Sequence, residues 1–333
     1  MVKEGYIKEA PAEVEKNVDE GWSEDWKAYG TVDNKFYAAP LMASVKSFVW
    51  YSPAMFKEGG YEIPKTWDEL TALTEKIASE HSEGSTRPWC AGIESGGATG
   101  WPATDWIEDL VLRVGGGDVY DKWVTHEIPF NDAKVKEAAE YVGKILTDDK
   151  FVNGGIGDAR SIVSTSFNDG GLQILDKACY MHRQASFYEA QWPEGTKVAE
   201  DGDVFAFPLP PVKEGEVPLL VGGEFVGAFN GKDETKAVQA YMASGTWANT
   251  RVGIGGVTSA NKAVDASKAS SPLLKQAIEL LQDKNSVVRF DGSDLMPSEV
   301  GAGSFWTGMT QWLNKEKDLD TVLNDIENSW PKG

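Results

Sequence analysis

Histidine and cysteine are scarce, three and two among 333 residues. His81, His126 and His182 stand without metal-ligand spacing. No His-Glu-x-x-His, Cys-x-x-Cys, Gly-x-Ser-x-Gly or phosphate-loop sequence occurs, which removes the usual zinc-hydrolase, thiol-redox, serine-hydrolase and nucleotide-hydrolysing readings. Gly253-Ile254-Gly255-Gly256 lacks the spacing and downstream acid of a dinucleotide loop. Asp291-Gly292-Ser293-Asp294 lacks the ligands that would complete an EF-hand. Neither metal nor cofactor is expected. Positive charge is also short: 32 Lys and Arg face 52 Asp and Glu, a net charge of −20. Nucleic acid and anionic membrane surfaces, which need basic patches, are disfavoured as partners. No apolar run approaches the roughly 18 residues needed to cross a bilayer. The opening MVKEGYIKEAPAEVEK is charged, so no signal peptide is expected in this sequence.

Cys90 and Cys179 permit one disulfide, and their spacing leaves open whether they pair. A bridge would place the protein outside the cytosol.

The length is that of about two domains. Strand-like and helical segments alternate, favouring an α/β architecture with parallel strands. Thr66-Trp67-Asp68-Glu69 reads as a capping box opening a helix to about Ser79. A helix from near Thr104 is ended by Gly115-Gly116-Gly117, and another covers about Ala133–Leu146. Extended segments are expected at 36–42, 47–51, 89–93, 177–181, 204–211 and 219–229. Asp233 or Glu234 opens a helix reaching about Asn249. Ser271-Pro272 is a cap with proline at the first helical position, and helices follow at about 300–314 and 319–328. No linker divides the chain into halves, so two domains would be joined by more than one crossing.

Aromatic residues are plentiful: 13 Trp, 10 Tyr and 13 Phe. Neutral sugars present C–H faces that lie on aromatic rings and hydroxyl edges that need donors and acceptors. Segments mixing both residue classes recur: Gly100-Trp101-Pro102-Ala103-Thr104-Asp105-Trp106, His182-Arg183-Gln184-Ala185-Ser186-Phe187, Gly222-Gly223-Glu224-Phe225, Arg289-Phe290-Asp291-Gly292-Ser293-Asp294 and Ser304-Phe305-Trp306. Two carboxylate pairs, Asp105 with Glu108 or Asp109 and Asp291 with Asp294, have the chemistry of a glycosidase dyad. Their plainer reading is helix-start charge on a solvated surface.

Lys46-Ser47-Phe48-Val49-Trp50-Tyr51-Ser52-Pro53, Phe56 and Pro64-Lys65-Thr66-Trp67-Asp68-Glu69-Leu70 resemble family 1 extracellular solute-binding proteins. The α-glucoside-binding branch is closer. Its resemblance rests on Pro88-Trp89-Cys90-Ala91-Gly92-Ile93-Glu94-Ser95-Gly96, the Gly100–Trp106 run, His182-Arg183-Gln184, Arg289-Phe290-Asp291, Ser293-Asp294-Leu295-Met296-Pro297, Gly301-Ala302-Gly303-Ser304-Phe305-Trp306 and Ser329-Trp330-Pro331. These motifs run in family order from about residue 30 to the end.

The resemblance implies a bilobed α/β fold of the periplasmic-binding-protein type II class, with an interlobe ligand cleft and hinge closure. It implies an N-terminal lobe of residues 1–43 and 223–270, incomplete because the family's opening βαβα segment lies ahead of Met1. The C-terminal lobe would be 44–222 and 271–333. Trp306 falls where the family places an aromatic sugar platform. Trp101, Asp105, Arg183, Gln184, Glu224, Arg289, Asp291 and Asp294 would supply further contacts, with Ser44 and Lys46 near the hinge. Cys90 and Cys179 would pair. The implied role is that of a monomeric periplasmic or membrane-associated extracellular receptor, not an enzyme, that hands an α-glucoside or related oligosaccharide to ABC permease subunits. A glycoside hydrolase and a carbohydrate-binding lectin are the alternatives.

Overall fold

The computed structural model describes residues 1–332 and divides into two compact units. Unit 1 comprises Met1–Val45 and Val221–Lys284, and unit 2 comprises Lys46–Leu220 and Asn285–Gly333. The chain therefore crosses three times. The last crossing follows the helix Pro272–Gln282 rather than lying near Ser270. The reason is packing: Ile278 of that helix is buried with Ala248, Val252 and Val264 in one apolar cluster of unit 1.

In unit 1, the strand Ala38–Val45 pairs antiparallel with the strand that begins at Val217 and ends at Gly227, in a register that sets Ser44 opposite Gly222 and Met42 opposite Glu224. The single helix expected from Asp233 to Asn249 is two, Asp233–Met242 and Gly245–Ile254. Ser244 separates them because its side chain accepts from the Trp247 amide at 3.2 Å and starts a new helix.

Unit 2 is built on a five-stranded sheet whose order is 152–153, 87–90, 179–183, 48–51, 205–208. The sheet is mixed, not parallel. Arg87–Cys90 lies parallel to both of its neighbours, whereas Phe48–Tyr51 is antiparallel to both of its own. Phe48, Val49 and Trp50 are fully buried, so this strand is central and carries almost no alternation. Cys90 and Cys179, on the neighbouring strands Arg87–Cys90 and Cys179–Arg183, lie 5.6 Å apart between Cα atoms and form a disulfide. It closes a span of 89 residues. Replacing both cysteines by serine should cost about 2–5 kcal/mol of unfolding free energy, read from urea curves. A change under about 1 kcal/mol would show that the sheet alone fixes this pair of strands.

The helix Trp67–Glu80 starts at its capping box. Thr66 Oγ1 accepts from the Glu69 amide at 3.2 Å, while Glu69 reaches back to the Lys65 amide, one residue beyond the usual partner. The helix Trp101–Gly115 is buried along nearly its whole length. It opens two to three residues earlier than its sequence suggests, because Gly100 takes a φ of 112° that favours glycine. A β-carbon there would also lie 2.4 Å from the Trp306 carbonyl oxygen. The segment expected as one helix from 300 begins with a π-helical turn, Val300–Phe305, before the α-helix Trp306–Leu313. Gly301 permits the turn's close approach to the Ser293 backbone. Among the described residues, no helix is long and apolar enough to cross a membrane.

Candidate ligand-binding site

Asp105, Glu108, Asp109 and Arg113 recur at helical spacing along one face of the Trp101–Gly115 helix. Sequence reading places such charges on a solvated surface. The structure corrects this: all four are buried, at 1% exposure or less. Charges that deep are stable only when partnered, and each has partners in unit 2.

Asp109 is the centre of the deeper half. One carboxylate oxygen takes the Ser47 hydroxyl at 2.7 Å and the Arg113 guanidinium, and the other takes Arg183 Nη2 at 2.8 Å. Arg113 also donates to the carbonyls of Pro210, Leu209 and Pro218 at 3.1, 2.8 and 3.0 Å. Ser47 Oγ accepts from the Leu220 amide at 2.8 Å.

The shallower half is organised by Lys46. Its ammonium donates to Asp105 Oδ1 at 2.8 Å and to Asp291, and lies 5.7 Å from the centre of the Trp101 ring. Arg183 adds a second cation, with Nη1 3.5 Å from Asp105 Oδ2. Glu108 accepts from the amides of Gly292 and Ser293 at 2.8 and 3.2 Å, clasping the short helix Gly292–Leu295. Asp291 caps the same helix, taking the Ser293 hydroxyl at 2.7 Å and the Asp294 amide at 3.3 Å. Tyr120 donates to the Phe290 carbonyl at 2.8 Å.

Proton affinities follow from these neighbours. Burial, reinforced by Asp291 and then Asp105, holds Glu108 well above the usual carboxylate range, and a hydrogen bond joins it to Asp291. Burial also raises Asp105, against the pull of Lys46. For Asp291, burial pushes upward, but the Lys46 charge together with hydrogen bonds from Lys46, Ser293 and Glu108 outweighs it, and the carboxyl sits below its ordinary value. Burial disfavours the Lys46 charge, yet Asp105, Asp291 and Glu108 more than restore it. Burial and then Asp291 push Asp294 up to about 6.

The structure thus joins Lys46, Trp101, Asp105, Arg183, Asp291 and Asp294 in one neighbourhood of unit 2. Trp306 lies beside them through the contact of its backbone with Gly100. Trp101 is half-buried, its ring 5.0 Å from Phe167 and 6.1 Å from Phe187. Two polar atoms here are buried without a hydrogen bond: the Trp306 indole N–H and Asp105 Oδ2. Gln184 is buried beside Arg183, and its side-chain carbonyl accepts from the Ala185 amide at 2.9 Å. Arg289 is turned to Asp121 as a bidentate ion pair at 2.6 and 2.9 Å. Ser44 and Glu224 lie in unit 1, on the paired strands 38–45 and 217–227. Sequence reading missed Ser47, Arg113, Tyr120 and Ser293; only the 105-108-109-113 spacing carried a signal.

A family model described as bacterial extracellular solute-binding protein matches residues 2–246. This chain belongs to that family. The osmoprotective compounds-binding protein GgtB of Synechocystis sp. is 40% identical over 320 residues, covering 95% of this chain and 73% of that protein. The alpha-glucosides-binding periplasmic protein AglE of Rhizobium meliloti is also 40% identical, over 92% of this chain and 67% of its own length. Among solved structures, a chitin oligosaccharide binding protein superposes with a TM-score of 0.79 at 17% identity, over 98% of this chain and 78% of that one. Maltose-bound MalE3 of T. maritima gives 0.69 at 17% identity, over 98% and 80%. The fold is that of these periplasmic-binding-protein type II receptors.

Proposed function

We propose that this solute-binding protein holds a neutral saccharide, an α-glucoside or a related oligosaccharide, on the aromatic and ionic face of unit 2, and delivers it to the permease of an ABC importer. Units 1 and 2 are read as the two lobes of the fold. The reading draws on AglE by likeness, but one observation of this chain carries it. Two half-buried indoles, Trp101 and Trp306, whose segments meet at Gly100, adjoin a buried ionic network, and two polar atoms there make no hydrogen bond: Asp105 Oδ2, which has only the Arg183 ion pair at 3.5 Å, and the Trp306 N–H. Rings take the C–H face of a pyranose, and the donor and acceptor take its hydroxyls. The Cys90–Cys179 bridge supports a place outside the cytoplasm, and the protein is read as a monomer.

Catalysis is not part of this role. A glycosidase needs one carboxylic acid and one carboxylate free to face the scissile bond. Here Asp105 and Asp291 are held by Lys46, Asp109 by two arginines, and Glu108 by two backbone amides. Titration of tryptophan fluorescence with maltose, trehalose, sucrose and maltotriose should show saturable binding of at least one. No response to any of them would sink the saccharide reading. Steady release of nitrophenol from a nitrophenyl α-glucoside would favour a hydrolase instead.

A further inference from the structure

Lys46 is an unusual lining residue for a site that takes neutral ligands, because its charge is fully spent inside the protein. Its ammonium sits among Asp105, Asp291 and the Trp101 ring, with 12% of the side chain exposed. Two carboxylates and an indole face are the set that recognises an alkyl- or quaternary ammonium ion. Oxygens of Asp105, Glu108 and Asp291 also lie within 4.8 Å of one another, so three carboxyl groups surround the ammonium position, with Arg183 the one other cation, 3.5 Å from Asp105 Oδ2.

Taking this face as the saccharide site, as proposed above, we infer that Lys46 determines the charge of the ligand. The protein's own ammonium fills an ammonium cage, excluding cationic ligands such as amino sugars and quaternary ammonium osmolytes while leaving Trp101 and the remaining acceptors to uncharged hydroxyls. The backbone fixes the root of this side chain, because the Lys46 amide donates to the Leu220 carbonyl at 2.8 Å and Ser47 Oγ accepts from the Leu220 amide; the two carboxylates hold its end.

Truncation at the β-carbon tests the cage directly, since Lys46→Ala removes the equivalent of propylammonium. Wild type, Lys46→Ala and Lys46→Arg are melted and titrated in EDTA with propylammonium chloride, with 1-propanol as the neutral control, and with glucosamine against glucose. Lys46→Ala should melt below wild type, and propylammonium, not propanol, should saturably raise its melting temperature and shift its tryptophan emission. Neither effect should occur in wild type or in Lys46→Arg, which keeps a cation in place. Lys46→Ala should also bind glucosamine at least about tenfold more tightly than wild type does.

Propylammonium that acts equally on all three proteins, or on none, overturns the assignment, as does glucosamine binding indifferent to residue 46. Rescue is read as stabilisation, so a weakly folded Lys46→Ala remains informative. Rescue of Lys46→Ala alongside a wild type that binds no neutral saccharide would keep the cage and discard the saccharide reading.

Discussion

Asp109→Ala should lower the unfolding free energy by about 3–5 kcal/mol, the cost of stripping a buried ion pair of one partner. The size follows from what Asp109 holds. Arg113 is fully buried and Arg183 is 3% exposed; both donate to this one carboxylate, and Ser47 donates to it as well. Arg113 would keep four carbonyl acceptors, that of residue 109 among them, and Arg183 would keep the Asp105 carbonyl, so neither loses every hydrogen bond. Arg113 loses the carboxylate that offsets its desolvation, and Arg183 is left with Asp105 alone, at 3.5 Å. Asp109→Asn, which preserves shape and one acceptor oxygen, should fall between Ala and wild type. Urea denaturation of the three proteins gives the comparison. A loss below about 1 kcal/mol for Asp109→Ala would mean that water reaches the arginines and that the network is not a desolvated one.

The largest effect on binding is expected at the two indoles. Trp101→Ala and Trp306→Ala should each weaken the best-bound saccharide by about 2–4 kcal/mol, with circular dichroism unchanged. Each truncation removes a half-buried apolar plane, and at 306 it also removes an indole N–H that has no hydrogen bond within the protein. Phenylalanine at 306 separates these contributions: it keeps most of the plane and removes the donor, so it should recover part of the affinity but not all. Calorimetric titration measures both. Alanine variants that bind as wild type does would place the ligand elsewhere on the molecule, whatever its identity.

Much of the local structure is legible in the sequence because it is locally determined. Thr66 and Glu69 define a helix start, Ser271-Pro272 another, and both occur where expected. Failures arise where a distant residue decides. The sheet direction of Phe48–Tyr51 depends on the neighbours it meets from residues 179–183 and 205–208, which no periodicity within 48–51 reveals. The helix from Asp233 breaks at Ser244 because one hydroxyl offers the Trp247 amide a better partner than continued winding.

The site shows the same division. Trp101, Asp105, Arg183, Asp291 and Trp306 emerge from motif resemblance, but the depth of the 105-108-109-113 face does not. Asp and Glu are exposed far more often than buried, and the cations that reverse that expectation are Lys46 and Arg183, 59 residues before and 78 after Asp105. Arg289 is the converse case. Its motif points to the site, yet an acidic residue on a neighbouring helix, Asp121, takes both faces of its guanidinium fork.

The unit-2 ends of the three crossings converge on the Trp101–Gly115 helix: Lys46 and Ser47 from the first, Leu220 through Ser47 from the second, and Asp291, just past the strand Ser286–Phe290, from the third. Lengthening any one connection would therefore draw a buried charge or its hydroxyl relay out of register with two others that had not moved. Insertions and circular permutations should be tolerated at remote surface turns such as 213–216 and rejected at the crossings. That would leave this family free to vary its periphery while its three connectors evolve only in concert.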